Sequence, residues 1–332
     1  MCGIMGCSRV TDITRRMMPF LAVEMEYRGK DSWAVTQGTE SYKNLGPITD
    51  TWAASEPIWH SWPRAIFHTR AASTGAITLD NQHPFVATRD GRKVVGIHNG
   101  IVSNHEELNK KYNRTFDCDS PHVYEAVVGN SPTNEVYGYG NLAWYDFATP
   151  ESEPVLHLAR FNGENLNIAT LSTGELVFCS LLEPIRRAAK MTGSRIENVW
   201  TTQGDQDYYV GQEENKPGID VLIKAERIIF GGRTVSQIYP AADGRRDFSR
   251  FSWMNGDDSS SSSTQSTHHQ HRKTTESIHI SGLNEESRRG NICLGNGCIQ
   301  RVTTSRRKQL LCNKCMDEVI QHLLKTTVMS TV

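Results

Sequence analysis

The stretch Leu142-AWYDFATPESEPVLHLARFNGENLNIATLSTGELVF-Cys179 decides the fold class. It divides into four short apolar runs, Leu142–Phe147, Val155–Arg160, Asn167–Leu171 and Glu175–Cys179, each broken from the next by turn residues. Four strands in such close succession leave no room for crossover helices between them. That is the pattern of antiparallel sheets with helices stacked on them, and it excludes a doubly wound parallel sheet. Further strands are expected around Tyr208, Val221 and Ile228, with a helix between at Leu182–Lys190.

Upstream, Cys2–Val10 reads as a first strand. Ile13–Tyr27 carries Met17, Phe20, Leu21 and Met25 at helical spacing and is closed by Arg28-Gly29. Ala65–His68 and Val94–Ile97 read as buried strands. Asn104–Tyr112 and Ser120–Val128 read as helices, with Asn104 and either Asp119 or Ser120 as capping residues. The expectation for residues 1–235 is one α+β domain.

Past that point the composition changes. Residues 236–288 contain Asp257-Asp258, the run Ser259–Ser263 and His268, His269 and His271, with few apolar residues, and are expected to be a flexible linker. The histidines could bind metal, but solvated loop positions are the simpler account of them. Residues 289–332 carry Cys293-x4-Cys298 and Cys312-x2-Cys315, two knuckles whose four thiolates suit a tetrahedral structural zinc. Such a site can fold a segment too short to build its own core. Arg288, Arg289, Arg301, Arg306, Arg307 and Lys308 are unopposed by any acid between them. That patch could contact nucleic acid or an acidic protein partner, or be a solvated basic face.

The whole chain of 332 residues has a net charge of −1, so no global field draws it to nucleic acid or membrane. No apolar run approaches the roughly 18 residues of a membrane span, and Asp12, Arg15 and Arg16 interrupt any signal core. Cys2, Cys7, Cys118 and Cys179 are scattered singly, unlike a disulfide framework. A cytoplasmic protein is expected.

The chemistry begins at Met1-Cys2-Gly3-Ile4. A small residue at position two normally permits removal of Met1, which would leave Cys2 with a thiol and a free α-amine. A thiol with a reference pKa of about 8.5 is mostly protonated at neutral pH, whereas an α-amine titrating near about 7.7–8.0 can act as its base. On this position alone, an ordinary buried strand cysteine is the simpler account of Cys2.

Five segments follow in order: Glu26-Tyr27-Arg28-Gly29-Lys30-Asp31-Ser32, His68-Thr69-Arg70-Ala71-Ala72-Ser73-Thr74-Gly75, Asn81-Gln82-His83-Pro84, His98-Asn99-Gly100-Ile101-Val102 and Asp117-Cys118-Asp119-Ser120. Together they resemble class II glutamine amidotransferases over about residues 2–230, and most of all the glutaminase domain of glucosamine-6-phosphate synthase. The resemblance implies a four-layer αββα sandwich of the N-terminal-nucleophile hydrolase type. It implies Cys2 as nucleophile, and Asn99 with Gly100 as the side-chain and backbone donors to the oxyanion. Arg70 and Ser73 would hold the glutamine carboxylate and Asp119 its ammonium, with His83 in support near the pocket. Two positions depart from the family's His-Thr-Arg-Trp-Ala-Thr-His-Gly: Ala71 replaces the tryptophan of the pocket lid and Thr74 the second histidine.

The implied reaction releases ammonia and glutamate from glutamine without a metal or organic cofactor. No sugar-isomerase or phosphoribosyltransferase region follows, so either a separate enzyme accepts the ammonia or it is set free. The competing expectation is an inactive glutaminase-like binding protein whose zinc tail contacts nucleic acid or a partner; glutamine hydrolysis separates the two.

Overall fold

The computed structural model describes residues 1–231 apart from positions 205, 215 and 226. The expected linker at 236–288 and the expected zinc tail at 289–332, with Cys293, Cys298, Cys312 and Cys315, lie outside the described residues. The chain opens with β1 (Gly3–Cys7), α1 (Asp12–Glu26), β2 (Ser32–Thr36), β3 (Ser41–Leu45), α2 (Ile48–Trp59), β4 (Ala65–Arg70), β5 (Phe85–Arg89) and β6 (Arg92–Val102). It continues with α3 (His105–Lys111), α4 (Pro121–Val128), β7 (Gly138–Phe147), β8 (Val155–Phe161), β9 (Asn167–Leu171) and β10 (Leu176–Cys179). Last come α5 (Leu182–Thr192), β11 (Ile196–Thr201), β12 (Gln206–Gln212) and β13 (Asp220–Lys224).

The strands form two sheets, β11-β9-β10-β1-β4-β2-β3 and β13-β12-β8-β7-β6-β5. Every strand pairing within them is antiparallel, so the α+β class read from the hairpin succession holds. Side-chain alternation shows how the layers stack. Val95, Ile97, Ala143 and Tyr145 share one apolar cluster with Ile4, Ile66, Ile168 and Phe178, so one face of each sheet meets the other. The intervening residues Val94, Leu142 and Trp144 point the opposite way and pack on Val123, Tyr124 and Val127 of α4. On the outer face of the seven-stranded sheet, α1 and α5 pack together and against β1 and β10. There α2 stacks Trp52 against Trp33 of β2 and packs Trp52 and Trp59 on Phe67 of β4. Burying one indole contributes roughly 1.5–3 kcal/mol or more, so this cluster is a main anchor of the outer layer.

Local signals account for the helix ends. At α1, Thr11 and Thr14 cap each other's backbone N–H groups, and α4 starts on Pro121 and ends on Gly129 in the left-handed region. Two capping expectations are corrected. Asn104 makes no cap bond: its Oδ1 accepts from Tyr137 N and its Nδ2 donates to Glu135 O, so it ties α3 to the entry of β7. Ser120 makes no cap bond either, because its hydroxyl meets the His98 ring. The strand expected at Ile228 is also absent. That residue packs on the core cluster holding Phe230 and Phe161, and the only pairing of this segment among the described residues is an isolated bridge of Gly231 to Tyr137. Among the described residues no helix is long and apolar enough to cross a membrane.

Candidate active site

Cys2 stands immediately before β1, the central strand of the seven-stranded sheet. Its Sγ donates to the Ala71 carbonyl at 3.6 Å, and its own carbonyl accepts from Arg28 Nε at 2.8 Å. Arg28 is in turn paired with Glu164 at 2.7 Å. Burial pushes the thiol above its ordinary value; the Ala71 bond and the terminal ammonium oppose the rise, Asp119 adds to it and Arg70 opposes it. The resting sulfur is therefore protonated and needs a base before it can attack. The Ala71 bond sets the thiol against the loop that follows Arg70, and Thr74 of that loop donates to Asp119.

Arg70 ends β4 and is buried. Its guanidinium donates to Thr74 O at 2.7 Å and Ala76 O at 3.0 Å. The loop it holds is tied again where Ala72 N donates to Asp31 and Ala76 N to Asp117. A guanidinium has five N–H donors, so those two bonds leave capacity for an anion. Ser73 lies exposed in this loop. Asp119 is buried, and both of its oxygens are engaged: Oδ2 accepts from Val102 N at 2.6 Å and Oδ1 from Thr74 Oγ1 at 2.8 Å. A carboxylate has about four acceptor sites, so it can still take a cation.

Asn99 and Gly100 lie within β6, not in a turn. The register decides where the Gly100 N–H points. Ser103 N donates to Tyr137 O, so hydrogen-bonded pairs with β7 fall on Ser103, Ile101 and Asn99, and Gly100 opposite Gly140 is a non-hydrogen-bonded pair. The Gly100 N–H therefore faces away from β7. On that side β5 pairs only with Arg92 to Gly96, so the ladder leaves the Gly100 N–H open. Its neighbours on the same edge are the His98 carbonyl, which meets His68 Nε2 at 3.1 Å, and Val102 N, which is spent on Asp119. The Asn99 side chain is buried and its Nδ2 donates to Ser180 Oγ at 3.3 Å. Gly100 is required by packing, since a Cβ there would lie 1.9 Å from the Tyr139 carbonyl oxygen.

The histidines beside this edge are neutral. His68 is held down to about 3, chiefly by burial, and His83 well below its ordinary value for the same reason. The His83 ring packs 3.8 Å from that of His68 and 4.6 Å from that of Phe85, centroid to centroid. It is buried, and no polar contact of its ring nitrogens is present among the described residues. Gln82 ties this layer to β2 by accepting from Ser32 Oγ at 2.7 Å.

Thus the structure gathers Cys2, Arg70 and Asp119 into one electrostatic neighbourhood and places Asn99 and Gly100 on the strand that carries Asp119's backbone partner. No expectation from the sequence names Ser180. It follows a strand far from the other segments, and nothing in its local sequence marks it. Arg28 was within a quoted segment, but its hold on the Cys2 carbonyl is visible only in three dimensions.

Residues 56–133 match the family model described as glutamine amidotransferases class-II, which contains Arg70, Ser73, His83, Asn99, Gly100 and Asp119 but not Cys2. The chain is 32% identical over 132 residues to a glutamine–fructose-6-phosphate aminotransferase (isomerizing) of Staphylococcus epidermidis, covering 39% of this chain and 22% of the relative. It is 34% identical over 118 residues to the enzyme of the same name from Pseudomonas putida, covering 33% of this chain and 18% of that one. The chain thus spans about a fifth of the length of these curated relatives. Among solved structures it resembles the B. subtilis glutamine phosphoribosylpyrophosphate amidotransferase at 16% identity and a TM-score of 0.49, covering 69% of this chain and 49% of that one. The resemblance to class II glutamine amidotransferases read from the ordered segments therefore holds.

Proposed function

We propose that this chain hydrolyses the side-chain amide of glutamine through a thioester on Cys2, releasing ammonia and glutamate. The observation that carries the reading is the open edge of β6. A Gly100 N–H that the ladder leaves open and the Asn99 amide are neighbours there, on a strand tied to Asp119, which Thr74 links to the loop carrying the Cys2 thiol's partner Ala71.

In this reading Met1 is removed and the Cys2 α-amine takes the thiol proton. The sulfur attacks the amide carbon, and the oxyanion that forms is met by Asn99 Nδ2 and Gly100 N. The C–N bond breaks as the α-ammonium returns its proton to the leaving nitrogen, giving ammonia and a Cys2 thioester. Water, deprotonated by the same amine, resolves the thioester to glutamate. Each preorganised donor to the oxyanion lowers the barrier by roughly 3–4 kcal/mol. Arg70, with Ser73, takes the substrate carboxylate, Asp119 takes the ammonium, and His83 supports the wall behind them. Neither step draws on a metal or organic cofactor. The two facing sheets fit an N-terminal-nucleophile hydrolase sandwich.

Residues 1–235 form the glutaminase, 236–288 a linker, and 289–332 a module in which Cys293, Cys298, Cys312 and Cys315 hold a structural zinc. The ammonia goes to an acceptor in the cytoplasm, a separate enzyme being one candidate, or is set free, and the basic tail offers a surface for a protein or nucleic-acid partner. The test is direct. Purified protein whose intact mass shows loss of Met1 should form glutamate from glutamine, and Cys2→Ala should form none. Full activity with Met1 still attached would overturn the mechanism. Metal analysis of the full chain should give one zinc, lost in a Cys293→Ser/Cys312→Ser variant.

A further inference from the structure

Ser180 lies between β10 and α5, on the seven-stranded sheet's side of the molecule, and is buried. Its backbone N donates to Ile4 O at 2.9 Å, and its hydroxyl accepts from Ile4 N at 2.9 Å and lies 3.3 Å from Ile4 O as donor. The same hydroxyl accepts from Asn99 Nδ2 at 3.3 Å, across from the other sheet. A serine hydroxyl has one donor and two acceptor sites. All three are used here, two on the second residue after Cys2 and one on Asn99. The primary amide of Asn99 has two N–H groups, and holding one of them fixes the direction of the other.

We infer that Ser180 is the positioning residue of the oxyanion site. It fixes the rotamer and amide orientation of Asn99 and keys that donor to the strand that carries the nucleophile. The inference rests on the glutaminase reading above. Its physical basis is that an oxyanion donor works through preorganisation: the N–H must already point at the developing charge, with no rearrangement during the reaction. Without the hydroxyl, the Asn99 side chain gains rotational freedom in a site spanning two sheets, and the donor is aimed only part of the time. Ser180 touches no reacting atom in this scheme, so substrate affinity should be nearly unaffected.

Steady-state glutamine hydrolysis by the full-length chain tests this with wild type, Ser180→Ala, Asn99→Ala and the double variant. Loss of a donor outright costs about 10²–10³ in kcat, so mis-aiming one should cost less, roughly 10- to 50-fold. Ser180→Ala is expected to show that loss in kcat with KM within about two-fold of wild type. In the Asn99→Ala background the same change should add little, because both act on one group. Ser180→Thr, which keeps the hydroxyl, should recover most of the rate. If Ser180→Ala fails to fold, Ser180→Cys, of similar size with a weaker hydrogen-bonding group, replaces it and should show the same kcat-only loss. Wild-type kcat in the hydroxyl-free variant, or losses that multiply fully in the double variant, would overturn the Ser180 inference alone. A wild-type chain that lacks Met1 and still forms no glutamate would overturn the glutaminase reading, and this inference with it.

Discussion

Asp119 shows how much one side chain is asked to do. Its two oxygens accept from Val102 N and Thr74 Oγ1, one from β6 and one from the loop that Arg70 holds. The departure at Thr74 is thereby given a structural role, since its hydroxyl bonds the carboxylate expected to take the substrate's ammonium. Removing only the charge should separate affinity from architecture. Asp119→Asn is expected to raise KM for glutamine at least about tenfold while leaving kcat within a few-fold, because a charge-assisted hydrogen bond is about twice as strong as a neutral one. An unchanged KM in initial-rate measurements would remove Asp119 from the substrate site. At this scale the sequence was informative about identity and poor about connection. Arg70, Asn99, Gly100 and Asp119 stood in ordered segments, whereas the bonds of Ser180 to Asn99 and of Arg28 to the Cys2 carbonyl join residues 81 and 26 positions apart.

Among the elements, β6 carries the most consequence. Its first half is paired on both sides and its second half on one, and the donors of the candidate site lie in the second half. That arrangement needs glycine at position 100, where added carbon meets the β7 backbone. Gly100→Ala should cost about 1–3 kcal/mol through overpacking and should also displace the open N–H. The expected readouts are a lower thermal midpoint and a larger loss of hydrolysis than the loss of stability explains; an unperturbed melt would show that β7 yields freely. Legibility followed exposure. The strands from Leu142 to Cys179 showed clear apolar runs because their faces are buried in the two cores. Strand β11 passed unread because it is an edge with Val199 and Trp200 exposed, so no alternation marks it. Helix α2 has buried Ile48, Trp52 and Trp59 at helical spacing, but Pro47 and Pro57 bracket and interrupt the stripe.

For the molecule as a whole, the buried and half-buried histidines set an acid limit. Burial holds His68 at about 3 and His60 and His122 at about 4, with His83 also depressed. The unfolded chain titrates these groups near about 6.5, so below that pH it binds protons that the folded chain refuses. Stability should be fully present above about pH 6.5 and fall progressively as the pH drops towards 3–4. Urea midpoints measured at pH 7.5 and pH 5 should therefore differ, with the acid value lower; equal midpoints would mean these rings are accessible to protonation in the native state.

One clasp far along the chain has a practical consequence. Asp220, at the start of β13, accepts from Ser8 Oγ and from Arg9 Nε, and Arg9 also reaches Gly218 O at 2.6 Å. The last strand of the six-stranded sheet thus fastens the exit of the very first strand. A shortened gene product ending near residue 212 would keep every residue proposed for chemistry, yet strip Arg9 of its counter-charge and uncover β12. Such a product is expected to be recovered as aggregate, whereas one extending through residue 231 should purify as a monodisperse species by light scattering. The choice of stop codon, more than any choice of catalytic side chain, then decides whether this part of the protein can be studied alone.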